Sequence, residues 1–400
     1  MVFPGGKGMD FTFTKQEKAF RQELREFMNR EMPPGWSEEQ PSEITGENWP
    51  IAREFGRKLA AKGWLGLAWP EQYGGQGRSQ IEQLIFDEEL AYHRAPRAPY
   101  WLAINRVGPS IMAFGTEAQK RQHLRGITNG EVTWCQGFTE PNAGSDLASL
   151  ETRAVEDGNA FVVNGEKWWT THAHLAQWCV LLARTDPHAP KHRGITYFLL
   201  DMDTPGVTVR PLIDMHNEHE ASYVFLNNVR IPREQVLGNV NQGWQVATTT
   251  LDFERTGIQY AAEARRILDD LVDFVGKTVV DGKPLAADPV VQNSLAEAAI
   301  NINISRLHAY RLAWLLQKGS KITTEASISK LVWTESWRRL ADTGMQILGP
   351  YCQLRKGSNW VRLHGILERY YIFGIAASIA VGATEIQKNI LAVRGLGLPR

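Results

Sequence analysis

Two segments of the sequence combine residue types suited to holding a flat polar ligand. Residues 134–146 read WCQGFTEPNAGSD, and their glycines, small residues and hydroxyls would let the backbone approach such a ligand and hydrogen-bond to it. Residues 164–171 read NGEKWWTT and place two adjacent tryptophans on a predicted strand, where neighbouring side chains point to opposite faces. One tryptophan would pack in a core while the other faces a ligand. An ordinary loop and ordinary core tryptophans would also fit these residues.

A candidate proton acceptor is Glu254, on a helix predicted over residues 243–276. Helical spacing aligns it with an otherwise apolar stripe formed by Ala247, Leu251, Ile258 and Ala261. Apolar surroundings raise the pKa of a carboxylate and suit it to taking a proton. The alternative is a structural ion pair with Arg255 or with another charge at a helix interface.

Other motifs for chemistry are weak or absent. The pairs His172/His174 and His216/His219 have the residue type of metal ligands, but neither has a convincing set of partners, so we expect no metal site. No GxGxxG follows a predicted strand, which argues against a Rossmann dinucleotide site. The sequence also has no GxSxG elbow and no P-loop.

The elements that must position these residues follow from hydrophobic spacing and turn signals. A capping box at Thr14 and Glu17 opens the first predicted helix. Short β-prone runs follow from about residue 130, and Asn164-Gly165 favours a hairpin turn. After Gly243 the pattern is helical again, in four segments. These segments are about 243–276, 288–318, 323–348 and 361–394.

The predicted fold class is α+β with three domains. An N-terminal α-helical domain spans residues 1–129, and a middle antiparallel β-barrel-like domain spans 130–240. Residues 241–400 are predicted to form a C-terminal four-helix bundle, because short loops join long helices.

Composition narrows the classes of partner. Lys and Arg total 44 against 44 Asp and Glu, which excludes a broad electrostatic surface for nucleic acid. No stretch is long and apolar enough for a membrane span, and the start lacks the core of a signal peptide. Three scattered cysteines predict a reducing, cytoplasmic location. Four of the 14 tryptophans lie within residues 134–178.

Nearly the whole sequence resembles the acyl-CoA dehydrogenase family. Residues 139–146, TEPNAGSD, are close to its TEPGAGSD signature, and residues 164–171 resemble its NGxKxWIT segment. Residues 346–349, QILG, resemble its QxxGG loop, and residues 384–387, TEIQ, the tail of its YEGTxxIQ motif. The resemblance implies α,β-dehydrogenation of an acyl-CoA thioester with bound FAD, and electrons passed to an electron-transfer flavoprotein. It also implies a tetramer in which a neighbouring subunit completes the FAD site, in fatty acid or steroid side-chain catabolism.

Site residues carried over from the family fall into two groups. Those implied to contact FAD are Gln136, Phe138, Thr139, Gly144, Ser145, Trp169, Thr171, Gln292, Gln346, Gly349, Thr384 and Glu385. Those implied to face the acyl-CoA are Ser145, Leu251, Arg255 and Val381. Trp168, on the opposite strand face from Trp169, is expected to be a core residue.

The catalytic base differs from the commonest family pattern. The position of the YEGT glutamate is Val381, which cannot take a proton, although its backbone amide could donate to the thioester carbonyl. A subgroup similar to isovaleryl-CoA and long-chain dehydrogenases places the base in an LDLER-like context on the long helix. Residues 251–255, LDFER, match that context, so the resemblance and the apolar stripe both predict Glu254 as the base.

Three departures concern FAD and leave alternatives open. No Arg occurs in residues 281–284, where the family's RxxFG segment falls, and the second Gly of QxxGG is Pro350. The Thr of YEGT is Ala383. The chain therefore resembles either a homotetramer subunit or a subunit of an α2β2 heterotetramer, as in bacterial steroid-degrading relatives, with an incomplete or non-catalytic site. An acyl-CoA oxidase is a further alternative, disfavoured because the larger oxidases carry an extra C-terminal domain.

Overall fold

The computed structural model describes residues 9, 11–39, 46, 48–253, 257–320 and 322–399, without the side chains of residues 252 and 253. Its secondary structure follows the predicted order of helices, strands and helices. The helices are α1 (Lys15–Glu31), α2 (Trp36–Glu39), α3 (Asn48–Ala61), α4 (Gln80–Tyr92), α5 (Gly108–Phe114), α6 (Glu117–Thr128), α7 (Gly243–Phe253), α8 (Ile258–Lys277), α9 (Pro289–Gln317), α10 (Thr323–Leu348), α11 (Ile366–Ile379) and α12 (Thr384–Ile390). The strands are β1 (Trp134–Gly137), β2 (Arg153–Asp157), β3 (Ala160–Thr171), β4 (Trp178–Arg184), β5 (Ile195–Asp201), β6 (Val207–Leu212), β7 (Ala221–Pro232), β8 (Val279–Val280) and β9 (Lys283–Pro284).

The described residues form two compact units, and each is built from separate stretches of chain. The helical unit takes residues from Met1–Gln40, Arg78–Ala95 and Arg255–Arg400. The sheet unit takes residues from Pro41–Gly77 and Pro96–Glu254. The predicted fold class is confirmed, while the exact domain boundaries at 129/130 and 240/241 stay predictions.

Local capping sets the start of the first helix as predicted. The Thr14 hydroxyl accepts a hydrogen bond from the Glu17 amide, and the Glu17 carboxylate accepts one from the Thr14 amide. The apolar face of α1 is buried through Phe20, Leu24, Phe27 and Met28, the residues at helical spacing.

A buried ionic cluster ties three helices of the helical unit together. Arg21 on α1 bonds to Glu88 at 2.7 Å and to Glu89 at 2.5 Å, both on α4. Arg306 on α9 also pairs with Glu88, and the Tyr310 hydroxyl donates to Glu88 at 2.6 Å. Each buried carboxylate therefore has cationic partners, as burial of a charge requires.

The sheet unit is organised around a curled seven-stranded sheet in the order β1-β4-β2-β3-β7-β6, with β5 paired to β4. Most neighbours are antiparallel, as predicted. Two pairings, β1 with β4 and β2 with β4, are parallel, because the intervening chain is long enough for a crossover connection. Inward-facing residues such as Phe161, Val163 and Phe198 fill the core of this sheet.

The predicted hairpin turn at Asn164-Gly165 is wrong. Strand β3 continues through both residues, and Asn164 pairs with Arg153 of β2. A register shift occurs between Val163 and Gly165, which makes this a bulge. A Cβ on Gly165 would lie 2.7 Å from the Thr152 Cα, so the glycine permits a close backbone approach rather than a turn.

The C-terminal helical segments agree with prediction except where the backbone turns left-handed. The predicted helix 243–276 is described as two helices, α7 and α8, and Gly257 between them has a φ of +73°. A residue in that conformation does not continue a right-handed helix. The predicted segment 361–394 likewise divides into α11 and α12, with Val381 at φ +59° and Gly382 at φ +90° between them.

Among the described helices, none alone has the length and apolar character to cross a bilayer. One pair passes the same criteria jointly, Leu363–Ile379 with Thr384–Gly395, although it is bent by 41°.

Candidate active site

The two segments singled out in the sequence lie against each other in the sheet unit. The Trp168 amide on β3 donates to the Thr139 carbonyl at 2.9 Å, just beyond the end of β1. The ammonium of Lys167 lies 3.3 Å from the Phe138 carbonyl. The loop that follows β1 is therefore held by hydrogen bonds to the C-terminal half of β3.

A buried ion pair also joins this loop to β3. Lys167, fully buried on β3, contacts the Glu140 carboxylate at 2.6 Å. Glu140 also accepts the backbone amides of Glu151 and Thr152. Burial alone would raise the pKa of Glu140, but the Lys167 charge and these hydrogen bonds lower it below its ordinary value. The carboxylate is therefore held ionised in the interior.

This pair was not recognised as part of the site from the sequence, although a signal for it exists. The side chains of Phe161 and Val163 point into the core of the sheet, and Lys167 keeps the same alternation along β3. A lysine on a core-facing position of a strand requires a buried anion, and Glu140 in the TEP segment supplies it.

The end of β1 and the loop after it present polar groups and open space. The Oε1 atom of Gln136 is buried and accepts no hydrogen bond from the described residues. Phe138 is buried, whereas Thr139 is half-buried. Gly144 and Ser145 are exposed, and apart from its two chain neighbours no described residue has an atom within 4 Å of a Cβ built on Gly144. The end of β1 thus offers an unused acceptor, and the loop after it offers an uncrowded backbone.

The two tryptophans on β3 have different environments. Trp168 packs edge-on against Tyr223 with ring centroids 5.0 Å apart, and its indole N–H donates to Glu166. Trp169 is 58% exposed and has a φ of +57° within an irregular stretch of the β3–β7 ladder. A left-handed backbone is unusual for a bulky residue and points to a local requirement for this orientation. Two residues further on, Thr171 is half-buried.

Two of the histidines noted in the sequence contact each other near the end of β3. The rings of His174 and His219 stack with centroids 3.8 Å apart, and the Ser222 hydroxyl contacts both. Burial and the neighbouring His219 lower the pKa of His174 to about 4. In the described part of the chain, no group of three or more His, Cys, Asp or Glu side chains could hold a metal ion.

The remaining FAD candidates are found in the helical unit, and most of them are exposed. Gln292 is exposed and donates its amide to the Ala286 carbonyl, while Gln346 and Glu385 are exposed. Gly349 ends α10 with a φ of +55°, and Thr384 is buried with its hydroxyl bonded to the Ser378 carbonyl.

The segment that would correspond to the family's arginine-bearing loop is a short hairpin. Residues 281 and 282 have φ values of +50° and +75° and join β8 to β9. Asp-Gly at these positions is the expected sequence for a tight turn.

The predicted base Glu254 and its neighbour Arg255 lie outside the described residues. On α7, Ala247 is fully buried and Leu251 is half-buried, in agreement with the apolar stripe. The extension of that stripe to Ile258 and Ala261 is wrong, because these residues belong to α8 beyond the left-handed Gly257. Val381, the other predicted substrate contact, is half-buried in the left-handed turn before α12.

A helical N-terminal region, a curled middle sheet carrying the TEPNAGSD loop, and a helical C-terminal region define the acyl-CoA dehydrogenase class. Sequence models of that family match all three parts: the N-terminal domain over residues 14–131, the middle domain over 135–229 and the C-terminal domain over 241–396. The chain belongs to the acyl-CoA dehydrogenase family and is an oxidoreductase acting on acyl-CoA.

Relatives with names and structures extend this assignment. The chain is 38% identical to acyl-CoA dehydrogenase IpdE1 of Mycobacterium tuberculosis over 87% of this chain and 88% of that protein. It is 35% identical to acyl-CoA dehydrogenase FadE26 of the same organism over 98% of this chain and 99% of that protein. The solved Tcur3481-Tcur3483 steroid ACAD has a TM-score of 0.87 at 33% identity, covering 98% of this chain and 100% of that one. The ChsE4-ChsE5 complex from M. tuberculosis has a TM-score of 0.88 at 34% identity, with the same coverage.

Members of this family are flavoproteins, typically with FAD, and the sheet unit fits such a group. The unused buried acceptor of Gln136, the exposed indole of Trp169 and the open space over Gly144 are features that a bound planar heterocycle would use.

Proposed function

We propose that this chain is a catalytic, FAD-dependent acyl-CoA dehydrogenase that converts an acyl-CoA to the trans-2-enoyl-CoA. The observation that carries the proposal is the fastening of the TEPNAGSD loop to β3 beside the exposed Trp169, through the Lys167–Glu140 pair and the Trp168–Thr139 hydrogen bond. Those contacts hold the loop after β1 against β3, and both segments carry residues that the family resemblance implies for flavin contact.

The residues proposed to contact the flavin are those that the family resemblance implies. Residues of the sheet unit proposed to contact it are Gln136, Phe138, Thr139, Gly144, Ser145, Trp169 and Thr171. Residues of the helical unit proposed for the adenine end are Gln292, Gln346, Gly349, Thr384 and Glu385. When bound, FAD accepts the hydride that leaves the β-carbon of the substrate.

The protein's own part in the chemistry is proton removal and orientation. Glu254 would take the α-proton, with Leu251, Arg255 and Ser145 bordering the acyl-CoA. The Val381 amide would donate a hydrogen bond to the thioester carbonyl and so stabilise the enolate that develops as the proton leaves. Burying the acyl chain would exclude water from the reacting carbons.

The substrate is proposed to be a bulky acyl-CoA of steroid side-chain or fatty acid catabolism. The support is the name of a similar structure, the Tcur3481-Tcur3483 steroid ACAD. An electron-transfer flavoprotein is the proposed electron acceptor. A cytoplasmic site of action is also proposed, since Cys135, Cys179 and Cys352 are all free thiols.

Substitution of Glu254 by Gln tests the base. The purified variant should keep its bound yellow flavin but lose flavin reduction in an anaerobic panel of butanoyl-, isovaleryl-, octanoyl- and cholesterol-side-chain acyl-CoAs. Glu234→Gln, an exposed carboxylate of the sheet unit, is the matched control and should reduce its flavin at the wild-type rate. Near-wild-type reduction by Glu254→Gln would reject the assignment.

A second candidate is a half-site or non-catalytic subunit of an α2β2 heterotetramer. It is favoured by the hairpin at residues 281–284, which carries no Arg, and by Pro350 and Ala383 at family contact positions. The similar ChsE4-ChsE5 structure is itself a complex of two different proteins. A homotetramer is the alternative assembly.

Expression of the chain alone and with its genomic neighbour separates the two assemblies. A homotetramer should purify alone with one flavin per chain, and substrate should bleach it completely. A half-site subunit should purify colourless alone and gain flavin only when coexpressed. Peroxide release under air would instead indicate an oxidase.

A further inference from the structure

Helix α11 ends in a turn whose backbone is unusual for its residues. The last hydrogen bond of the helix runs from the Ala380 amide to the Ala376 carbonyl at 2.9 Å. Val381 follows in a left-handed conformation, with a φ of +59°, before Gly382 at +90°. A β-branched residue rarely adopts this conformation, because its side chain crowds the backbone. Such outliers persist where neighbouring contacts hold them, and they cluster at functional sites.

The carbonyl that would accept the Val381 amide in a continued helix is bonded to a side chain. In an α-helix each amide donates to the carbonyl four residues earlier, so the partner of Val381 would be Ala377. The Lys330 ammonium on α10 donates to that carbonyl at 2.5 Å. The next carbonyl, that of Ser378, accepts the Thr384 hydroxyl at 3.3 Å. Among the described residues, none accepts a hydrogen bond from the Val381 amide.

Lys330 is held in the interior by contacts of its own. It is 1% exposed, and its ammonium also donates to the Thr334 hydroxyl at 2.9 Å. The ammonium lies 4.4 Å from the centre of the Trp333 ring, on which Tyr260 stacks at 3.9 Å. A cation over an aromatic face is attracted by the ring quadrupole, and the attraction is stronger where water is excluded. The ammonium is therefore a fixed donor toward Ala377, unlike the flexible end of an exposed lysine.

The backbone on the other side of Val381 is restricted by Gln387 on α12. This side chain is fully buried, and a Cβ built on Gly382 would lie 2.1 Å from its Nε2 atom. A side chain at position 382 would collide with this buried amide, and the φ of +90° there also favours glycine. Lys330 at the end of α11 and Gln387 beside Gly382 therefore both limit the conformations open to Val381.

We propose that Lys330 is a positioning residue that keeps the Val381 amide available to the thioester carbonyl of the substrate. This role rests on the proposed function, in which that amide stabilises the developing enolate. By bonding to the Ala377 carbonyl, Lys330 satisfies an acceptor that α11 would otherwise pair with Val381 by extending further. Without the ammonium, that pairing would satisfy the buried carbonyl and relieve the left-handed conformation, and the amide would be lost to the substrate.

The first measurement reads the substrate carbonyl directly. The probe is the trans-2-enoyl-CoA, labelled with ¹³C at the carbonyl carbon, of the acyl-CoA in the panel above that reduces the flavin fastest. Isotope-edited infrared spectra of the wild-type complex should show the C=O stretch below its frequency in free enoyl-CoA, because a hydrogen bond weakens the C=O bond. Lys330→Met, which keeps most of the length of the side chain but none of its donors, should reverse much of this downshift.

The second measurement separates the limiting rate from the affinity. Loss of one preorganised donor to a developing oxyanion lowers the rate by about 100- to 1,000-fold, so Lys330→Met should slow flavin reduction at saturating acyl-CoA by about that factor. The dissociation constant of the acyl-CoA should rise by no more than about tenfold, the value of one ordinary hydrogen bond. Lys330→Arg keeps donors and charge and should recover much of the rate and of the downshift. Lys388→Met removes an exposed lysine on α12 and should change none of these quantities.

A role limited to capping α11 gives a different result. Lys330→Met should then lower the melting temperature or the flavin content, while the folded holoprotein keeps the wild-type C=O stretch and reduction rate. That result would overturn the positioning role and leave the proposed dehydrogenase activity standing.

The wild-type protein separates failure of this role from failure of the proposed function. If no acyl-CoA of the panel reduces the wild-type flavin, the proposed function and the positioning role both fall. If the flavin is reduced but the bound C=O stretch equals that of free enoyl-CoA, only the donation by Val381 and the role of Lys330 fall. Should Lys330→Met fail to fold, Lys330→Gln, whose side chain is one bond shorter and loses the contact with Ala377, decides the question in the same two measurements.

Discussion

Removal of the Lys167 charge is the sharpest perturbation of the site that the described residues offer. Lys167→Met keeps the length of the side chain in its fully buried position on β3 but leaves the Glu140 carboxylate without its cation. At the observed 2.6 Å, the attraction between the two charges is about 6 kcal/mol for an effective dielectric constant of 20. Much of it offsets desolvation, and breaking a buried pair by removing one partner costs about 3–5 kcal/mol.

A double-mutant cycle measures this interaction. Urea unfolding followed by circular dichroism should show Lys167→Met destabilised by about 3–5 kcal/mol, and Glu140→Gln by a comparable amount. The double variant should lose clearly less than the sum of the two, by about 2–3 kcal/mol, because neither residue then leaves an unpaired charge. The control is Arg230→Met, which breaks an exposed ion pair with Asp157 on the same sheet and should cost at most about 1 kcal/mol.

Two outcomes would refute this reasoning. One is a loss below about 1 kcal/mol for Lys167→Met, which would mean that water reaches the pair and solvates Glu140. The other is strict additivity in the double variant, which would mean that each side chain acts only through its own packing.

Two further predictions concern acid stability and the bulge. Burial lowers the pKa of His123 to about 4, so the folded protein excludes a proton that the unfolded chain binds below about pH 6.5. The contribution of this residue to the free energy of unfolding should therefore fall by roughly 3 kcal/mol as the pH drops from 6.5 to 4. His123→Phe should remove that part of the decrease when the free energy of unfolding is measured against pH. An unchanged pH dependence in the variant would contradict the prediction. Gly165→Ala should destabilise by about 2–4 kcal/mol, since its Cβ would meet the Thr152 backbone, whereas Gly158→Ala, with open space at φ +62°, should cost about 1–2 kcal/mol. Equal melting temperatures for the two alanine variants would contradict the close approach.

Features determined by nearby residues were predictable from the sequence. The capping box at Thr14 forms because its partner Glu17 is three residues away, and the burial of α1 follows the same local spacing. At Asn164-Gly165 the local signal is ambiguous, because a tight turn and a strand bulge both favour this dipeptide. The bulge is favoured by Thr152, just before β2, because it lies so close to Gly165 that a Cβ would not fit between them.

Part of the candidate site was also predictable from the sequence, and part depended on contacts between distant residues. The loop 139–146 and Trp169 were predicted from residue types and motifs, and a long-range hydrogen bond from the Trp168 amide to the Thr139 carbonyl joins the loop to the strand that carries Trp169. The part played by the buried Lys167 was not predicted, because charged side chains are mostly exposed to solvent. Contacts between helices far apart in sequence, such as that of Ser110 with Thr250, are likewise not revealed by spacing alone.

The ionic cluster of the helical unit can form only late in synthesis, because its residues are far apart in the sequence. The Arg21 guanidinium donates to the Tyr310 hydroxyl at 2.8 Å across 289 residues of sequence. At a synthesis rate of about 5–20 residues per second, α1 leaves the ribosome roughly 15–60 s before α9. During that interval α1 and α4 can pair with each other, but Glu88 lacks Arg306 and the apolar faces meant for later helices stay exposed. Emergence of α9, rather than of α1 and α4, is therefore the step at which this ionic cluster can close, and the exposed apolar faces before that step are of the kind that chaperones bind.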